Sequence, residues 1–181
     1  MKKEFDARRL DVKRLAEEGA QLASDAPLGG YARLLGETQG SGAENTVHWD
    51  ARGELGNPGH LRPDVWMHLR AHAVLPLVCQ RCLAPVDIEA AVERSFRFVD
   101  DEDTAAAQDD AAEEDVLALS RNFDLVELVE DELLMDLPVA PRHEVCPETL
   151  PFASADAEFE EAMADKPRPF AALARLKSGK H

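Results

Sequence analysis

Apolar and polar residues alternate from Val65 to Val99, and this pattern constrains the fold more than any other feature of the chain. The apolar residues occupy odd positions up to Leu77 and even positions from Val86 onwards. Alternation with a period of two is typical of strands that bury one face, and the break between the two halves contains Cys79-Gln-Arg-Cys82. The stretch therefore predicts two long antiparallel strands joined by a short turn.

One register explains both faces of this hairpin. Pairing Leu77 with Val86 brings apolar residues together on the buried side. The same register forms two favourable pairs on the other side, Arg70 with Glu93 and Trp66 with Arg97. Arg94 falls on the apolar side, so we expect it near an edge of the sheet.

The remaining pattern predicts an α+β fold, an antiparallel β-meander with a long central hairpin covered by one amphipathic helix. We expect a single domain over residues 1–181, with the sheet spanning 46–99 and its first strand at 46–55. Asn57-Pro-Gly59 predicts a turn. Short helical segments are expected at 6–18 and Tyr31–Leu35, with a connector from Ser24 to Gly30 and a turn at Gly40-Ser-Gly42.

The covering helix is predicted at 124–137. Asp124 can cap it, with Glu127 in the capping-box position, and Pro138 ends it. Its leucines and valines form a broad apolar face, and we expect the acids to lie on the opposite side: Glu127, Glu130, Asp131 and Glu132.

Charge is distributed unevenly along the chain, which has a net charge of −16. Residues 100–136 contain fifteen acidic residues and one basic residue, Arg121, for a local charge of −14. Within them, 100–115 is acidic and of low complexity, so we expect a flexible loop, with a cation-binding loop as the alternative. A short fourth strand is expected at Val116–Leu119.

The C-terminal segment, residues 147–181, is expected to pack loosely. A weak helix is predicted around Ala157–Ala164, then an extended strap at 166–170 and a short basic helix at Ala171–Lys177. Because the acidic segment repels phosphate, direct contact with RNA would use the chain ends or the Arg/His side of the hairpin. The candidate RNA contacts are Arg70, Arg81, Lys166, Arg168, Arg175 and Lys177.

Three cysteines and one histidine suggest a metal site. Cys79 and Cys82 have the spacing of a zinc knuckle, and His143 and Cys146 reach the same ion if 138–146 folds back to the hairpin tip. The alternative is that both cysteines are ordinary hairpin residues with no metal. Three cysteines suit reduced thiols in a cytoplasm or a metal site better than a disulfide framework.

Several function classes lack support in the sequence. No run of about eighteen apolar residues exists, so we expect no membrane span. No Gly-rich phosphate loop, H-E-x-x-H motif or paired catalytic carboxylates appear, so we expect a protein that is not an enzyme.

Three blocks together resemble the YceD family, the large ribosomal RNA subunit accumulation proteins. They are Leu77-Val-Cys-Gln-Arg-Cys82, the segment from Asp124 to His143 followed by Cys146, and the ending from Lys166 to Lys177. The resemblance implies a bacterial cytoplasmic ribosome biogenesis factor, needed for accumulation or processing of 23S ribosomal RNA and without a known catalytic activity. Some members carry further cysteines after the helix, suggestive of zinc, where this chain has Cys146.

Two mechanisms remain open for such a factor. It contacts the large-subunit ribosomal RNA or pre-ribosomal particle directly, through the basic tail and the Arg/His face. Alternatively, it is an acidic holding chaperone for a basic large-subunit ribosomal protein, because a Lys/Arg-rich client would find a complementary field in the acidic segment.

Overall fold

The structure is a computed structural model that describes residues 5–147 of the 181-residue chain. Of these, the residues from Phe5 to Cys146 belong to one compact unit. In chain order the elements are helix α1 (Val12–Glu17), strand β1 (Gln21–Pro27), a 3-10 turn (Leu28–Gly30), helix α2 (Ala32–Glu37), strands β2 (Thr46–Gly56), β3 (Asp64–Val78) and β4 (Pro85–Val99), helix α3 (Glu102–Asp109), strand β5 (Asp115–Ala118) and helix α4 (Leu125–Asp136).

The strands form one mixed sheet in the order β1-β2-β3-β4-β5. All neighbours are antiparallel except β4 and β5, which are parallel. The α+β class and the meander with its long central hairpin are therefore confirmed. The register of β3 and β4 is also the predicted one, with Val86 opposite Leu77 and Glu93 opposite Arg70.

The sheet begins earlier than predicted, because Gln21–Pro27 forms the edge strand β1 and pairs with β2. The predicted connector from Ser24 to Gly30 is wrong for residues 24–27. Leu22 is the only large apolar residue in this strand, so the alternation is too weak to identify it from sequence. The predicted helical turn at Tyr31–Leu35 is confirmed by α2.

One face of the sheet is covered. Helices α1 and α4 contact it, and α2 contacts α4. Gly53 lets α1 lie directly on β2, because a Cβ at that position would come within 2.7 Å of the carbonyl oxygen of Leu15. The buried core of this face includes Leu15, Leu34, Val47, Trp49, Met67, Leu69, Leu75, Phe96, Leu125, Val129 and Leu133.

The acidic segment is more ordered than a loop. The prediction of an irregular segment over 100–115 is wrong for Glu102–Asp109, which forms α3. Asp101 caps this helix by accepting a bond of 2.8 Å from the Thr104 amide, and this bond lowers the pKa of Asp101. Two acids in the first turn and an Ala-rich middle also favour a helix. The predicted short strand after it is confirmed as β5, parallel to β4.

Helix α4 starts as predicted, since the Asp124 side chain accepts a bond of 3.0 Å from the Glu127 amide. The placement of Glu132 among the solvent-facing acids is wrong, because its side chain is buried and lies 3.4 Å from the Arg94 guanidinium. Glu132 follows Leu125 by seven residues, two helical turns, and therefore shares its face. Burial raises the pKa of Glu132, and Arg94 partly offsets the rise.

The helix predicted at 6–18 is confirmed in its second half. Asp11 caps α1 by accepting a bond of 3.1 Å from the Arg14 amide, and Gly19 follows the helix with a φ of 55°. The predictions for Ala157–Ala164, 166–170 and Ala171–Lys177 lie outside the described residues, and the single domain over the whole chain stays a prediction. Among residues 5–147, no helix has the length and apolar composition that a membrane crossing requires.

Candidate metal centre

The hairpin turn between β3 and β4 presents two thiols from one tight loop. The Cys79 amide donates to the Ala84 carbonyl at 3.0 Å, and the Leu83 amide donates to the Cys79 carbonyl at 2.9 Å. Leu83 closes the turn with a φ of 61°. Cys79 is fully buried beneath this turn, and Cys82 is partly buried.

The segment after α4 returns to the same turn. The Gln80 amide donates to the Pro141 carbonyl at 2.8 Å. His143 Nε2 lies 2.9 Å from the Pro85 carbonyl oxygen, and because a carbonyl only accepts, this nitrogen carries the proton. The other ring nitrogen, Nδ1, therefore carries a lone pair that can accept a hydrogen bond or bind a metal, and it lies 3.4 Å from Cys82 Sγ.

Four metal-ligating side chains meet at this point. The ligand atoms of Cys79, Cys82, His143 and Cys146 all lie within 4.8 Å of one another. The predicted return of 138–146 to the hairpin tip is therefore confirmed, as is the proximity of the four residues.

The local electrostatics favour a thiolate at Cys79. Burial raises the pKa of this thiol, but bonds donated to its sulfur by the backbone N–H groups of Cys82, Arg81 and His143, and by the Cys82 thiol, outweigh burial and lower the pKa to about 5. The pKa of Cys146 is raised by burial and by the neighbouring sulfurs of Cys82 and Cys79. A cation among the sulfurs would remove that repulsion and favour a thiolate at Cys146 also.

These donors fit zinc. A tetrahedral zinc ion has Zn–S bonds of about 2.3 Å and Zn–N bonds of about 2.0 Å, which places neighbouring sulfurs roughly 3.8 Å apart. Three thiolates and one neutral imidazole form a closed tetrahedral set, the chemistry of a structural site. The bond from His143 Nε2 to the Pro85 carbonyl is the outer support that metal-ligating histidines usually have.

These supporting groups leave no signal in the sequence. They are backbone groups: the Pro85 carbonyl and several N–H groups. Every residue has a backbone carbonyl and every residue except proline has an N–H, so composition and spacing cannot reveal which of them support the site.

The candidate RNA contacts on the hairpin do not form one basic patch. Arg70 lies 2.9 Å from Glu93, and this carboxylate raises the Arg70 pKa. The neighbouring histidines also face acids, with His72 3.1 Å from Glu89 and His68 3.6 Å from Glu54. Arg81 lies exposed at the hairpin tip. The other four candidates, Lys166, Arg168, Arg175 and Lys177, lie outside the described residues.

Comparison with known proteins adds one finding. The family model described as "Large ribosomal RNA subunit accumulation protein YceD" matches residues 67–177. This range contains β4, α3, β5, α4, most of β3 and all four residues of the candidate metal centre. No solved structure matches the chain.

Proposed function

Because the chain belongs to the YceD family, with a role in accumulation of the large ribosomal subunit RNA, we propose that it is a non-catalytic ribosome biogenesis factor. It acts in the cytoplasm on the accumulation or processing of 23S ribosomal RNA, by binding pre-ribosomal RNA or a ribosomal protein. The family match carries this proposal.

The charges of the described residues favour a basic ribosomal protein as the direct partner. The arginines of the sheet face acids, with Arg97 2.5 Å from Glu114 and Arg70 2.9 Å from Glu93. By contrast, α3 and the turn after it carry exposed acids without a cation beside them among residues 5–147: Glu102, Asp103, Asp110 and Glu113. A Lys/Arg-rich client finds a complementary field there, and a ribosomal RNA whose protein is not delivered fails to accumulate.

The test is a low-salt pull-down with the full chain, with and without nuclease. A basic large-subunit protein should be recovered in both conditions. The quadruple variant Glu102→Gln, Asp103→Asn, Asp110→Asn, Glu113→Gln should recover at least severalfold less of it. A variant with the same change in net charge elsewhere is the control: Glu17→Gln, Glu37→Gln, Glu44→Gln, Asp87→Asn. Equal loss in the two variants would argue against a specific acidic site.

Direct RNA binding is the second candidate, and the basic C-terminal sequence favours it. Replacing Arg168, Arg175 and Lys177 with alanine should then weaken RNA binding and reduce its dependence on salt. A partner recovered only without nuclease supports this candidate, whereas RNA binding that these substitutions leave unchanged contradicts it.

A structural zinc ion at Cys79, Cys82, His143 and Cys146 completes the proposal. The convergence of the four donors supports it. The purified chain should contain about one equivalent of zinc. The variant Cys79→Ser, Cys82→Ser should lose the metal, while Gln80→Ala, which changes a residue between them, should keep it. A metal-free protein after purification without chelator would contradict the site.

A further inference from the structure

The edge strand β1 has one side of its backbone unpaired within the described part of the chain. It is the first strand in the sheet order, so only β2 pairs with it. Hydrogen bonds just outside the strand establish which residues bond inward. The Gly53 amide donates to the Ala20 carbonyl at 2.9 Å, and the Leu28 amide donates to the Asn45 carbonyl at 2.7 Å. In an antiparallel pair such bonds recur at every second residue, so the even-numbered residues of β1 bond to β2.

The odd-numbered residues of β1 therefore direct their backbone groups away from the sheet. Gln21, Ala23 and Asp25 present N–H and C=O groups that no backbone group among residues 5–147 pairs with, and their side chains are exposed. Pro27 occupies the next outward position, where the missing N–H costs no bond to β2. A seven-residue edge with only one proline, at its end, is open to pairing with another strand.

A groove runs beside this edge on the covered side of the sheet. It has a volume of about 1180 Å³, somewhat larger than a typical small-molecule site of roughly 300–1,000 Å³. Leu22, Ala26, Trp49, Val126 and Tyr31 line it, together with the charged residues Asp6, Arg8 and Glu18. The Tyr31 hydroxyl accepts a bond of 3.0 Å from the Trp49 indole, so the aromatic part of the groove is held in place. A strand added to β1 would direct alternate side chains into this groove.

The negative charge of the molecule favours a cationic partner at this edge. The net charge of −16 opposes pairing with a second copy of the chain. On the face opposite the groove, the Asp25 side chain is 75% exposed and lies 2.7 Å from His48 Nδ1. Asp50 lies on β2, where it accepts a bond of 3.1 Å from the Gln21 side-chain amide. A cationic side chain of an added strand would lie beside Asp25, with Asp50 one strand further away.

We propose that the outer edge of β1 binds an extended segment of a basic polypeptide as a sixth strand of the sheet. Its apolar side chains enter the groove, and its alternating lysine or arginine side chains lie on the Asp25 side. This mode of binding combines main-chain hydrogen bonds with side-chain pockets. The inference rests on the proposed binding of a basic ribosomal protein, for which it adds a second contact surface at the sheet edge opposite α3 and β5.

The first test is amide hydrogen exchange of the full chain with a heptapeptide of alternating lysine and valine. The outward amides of Gln21, Ala23 and Asp25 should gain protection, whereas those of Leu22, Ser24 and Ala26 already bond to β2 and should change little. The controls are a glutamate-valine heptapeptide and a lysine-valine peptide with its valines in one block. Equal protection by all three peptides, or none by the alternating one, would overturn the proposal.

The second test removes one outward donor. Ala23→Pro deletes an N–H that β2 does not use, and it should weaken peptide binding about tenfold. Ala23→Val keeps the N–H and is the matched control, expected to bind like the unmodified chain. If Ala23→Pro does not fold, a peptide N-methylated at alternate amides replaces it. Methylation in one of the two alternating frames should abolish binding, and indifference to methylation in both frames would contradict strand addition.

The outcomes separate this inference from the proposed function. Suppose that neither Ala23→Pro nor competition with the alternating peptide changes the recovery of a basic ribosomal protein. This result would refute the edge as a docking surface and leave the proposed function intact. Edge protection by the peptide without recovery of any ribosomal protein would support the surface and refute the function. Edge protection that appears on raising the concentration of the chain alone would identify a second copy as the occupant and overturn the proposal.

Discussion

The covered face of the sheet and the tip of its central hairpin are held together in different ways. The covered face buries side chains such as Leu69, Leu75 and Phe96 in one continuous core. At the tip, Leu83 is 75% exposed and Val145 is 86% exposed, and the contacts are directional bonds around Cys79. Apolar burial scales with area and requires no cofactor, whereas thiolates that face one another require a cation. We infer that the sheet folds without metal and that the tip does not.

The largest effect should come from a cavity in the covered face. Leu69 is fully buried, so Leu69→Ala should reduce the free energy of unfolding by about 2–5 kcal/mol in chemical denaturation. Val74 lies on the same strand but is 38% exposed, which makes Val74→Ala the matched control with a much smaller loss. The folded fraction of Leu69→Ala should still bind zinc, and comparable losses in the two variants would contradict the assignment of the core to one face.

A smaller loss is expected where α1 approaches the sheet. A Cβ on residue 53 would lie 2.6–2.7 Å from the backbone of Leu15 and Ala16. Gly53→Ala should therefore destabilise the protein by about 1–3 kcal/mol, as overpacking usually does. Gly59→Ala is the control, because a Cβ there meets no atom within 4 Å. An unchanged melting temperature for Gly53→Ala would show that α1 can move away at no cost.

The buried acid on α4 should make stability depend on pH. Burial raises the pKa of Glu132, and Asp115 and Asp131 raise it further, whereas Arg94 lowers it. The folded chain therefore holds this proton more tightly than the unfolded chain, so stability falls as pH rises through the window between the two pKa values. Relative to Glu132→Gln, the free energy of unfolding of the unmodified protein should fall by about 1 kcal/mol between acid and neutral pH.

Urea denaturation at several pH values measures this difference. Arg94→Gln removes the charge that offsets the burial, so it should enlarge the dependence on pH. The free energies of unfolding of the unmodified protein and of Glu132→Gln should differ by an amount that changes with pH. A constant difference across this range would contradict the burial of an ionisable group at position 132.

The smallest effect is expected on the open face. Arg70 and Glu93 form an exposed ion pair, and such pairs contribute little because water and salt screen them. Arg70→Gln and Glu93→Gln, singly and together, should leave the denaturation midpoint within experimental error. A clear coupling between them in a double-mutant cycle would show that this face is less hydrated than its exposure indicates.

The sequence predicted the hairpin well because its signal is local and repeated. Alternation across Val65–Val99 identifies both strands, and one buried pair fixes the register for the rest. Strand β1 was missed because its residues are small or polar and its partner is distant in the chain. Helix α3 departs from the prediction because the Asp101 cap and the three alanines favour a helix over 102–109, despite the high negative charge that is typical of a loop.

The sequence indicates the four residues of the candidate site, but it does not indicate the backbone hydrogen bonds that bring them together. Cysteine and histidine spacing identifies the four donors, since few other residue types bind zinc. Their convergence depends on bonds such as that from the Gln80 amide to the Pro141 carbonyl, which any residue can form. Likewise, the spacing from Leu125 places Glu132 on the buried face of α4, but its pairing with Arg94 on β4 depends on where the helix lies on the sheet.

The most direct test of the difference between tip and sheet is amide hydrogen exchange of the full chain before and after treatment with a zinc chelator. Amides of 79–84 and 138–146 should lose protection, while those in the centre of β2, β3 and β4 should keep it. Unchanged protection at the tip, or loss of protection across the whole sheet, would contradict this difference.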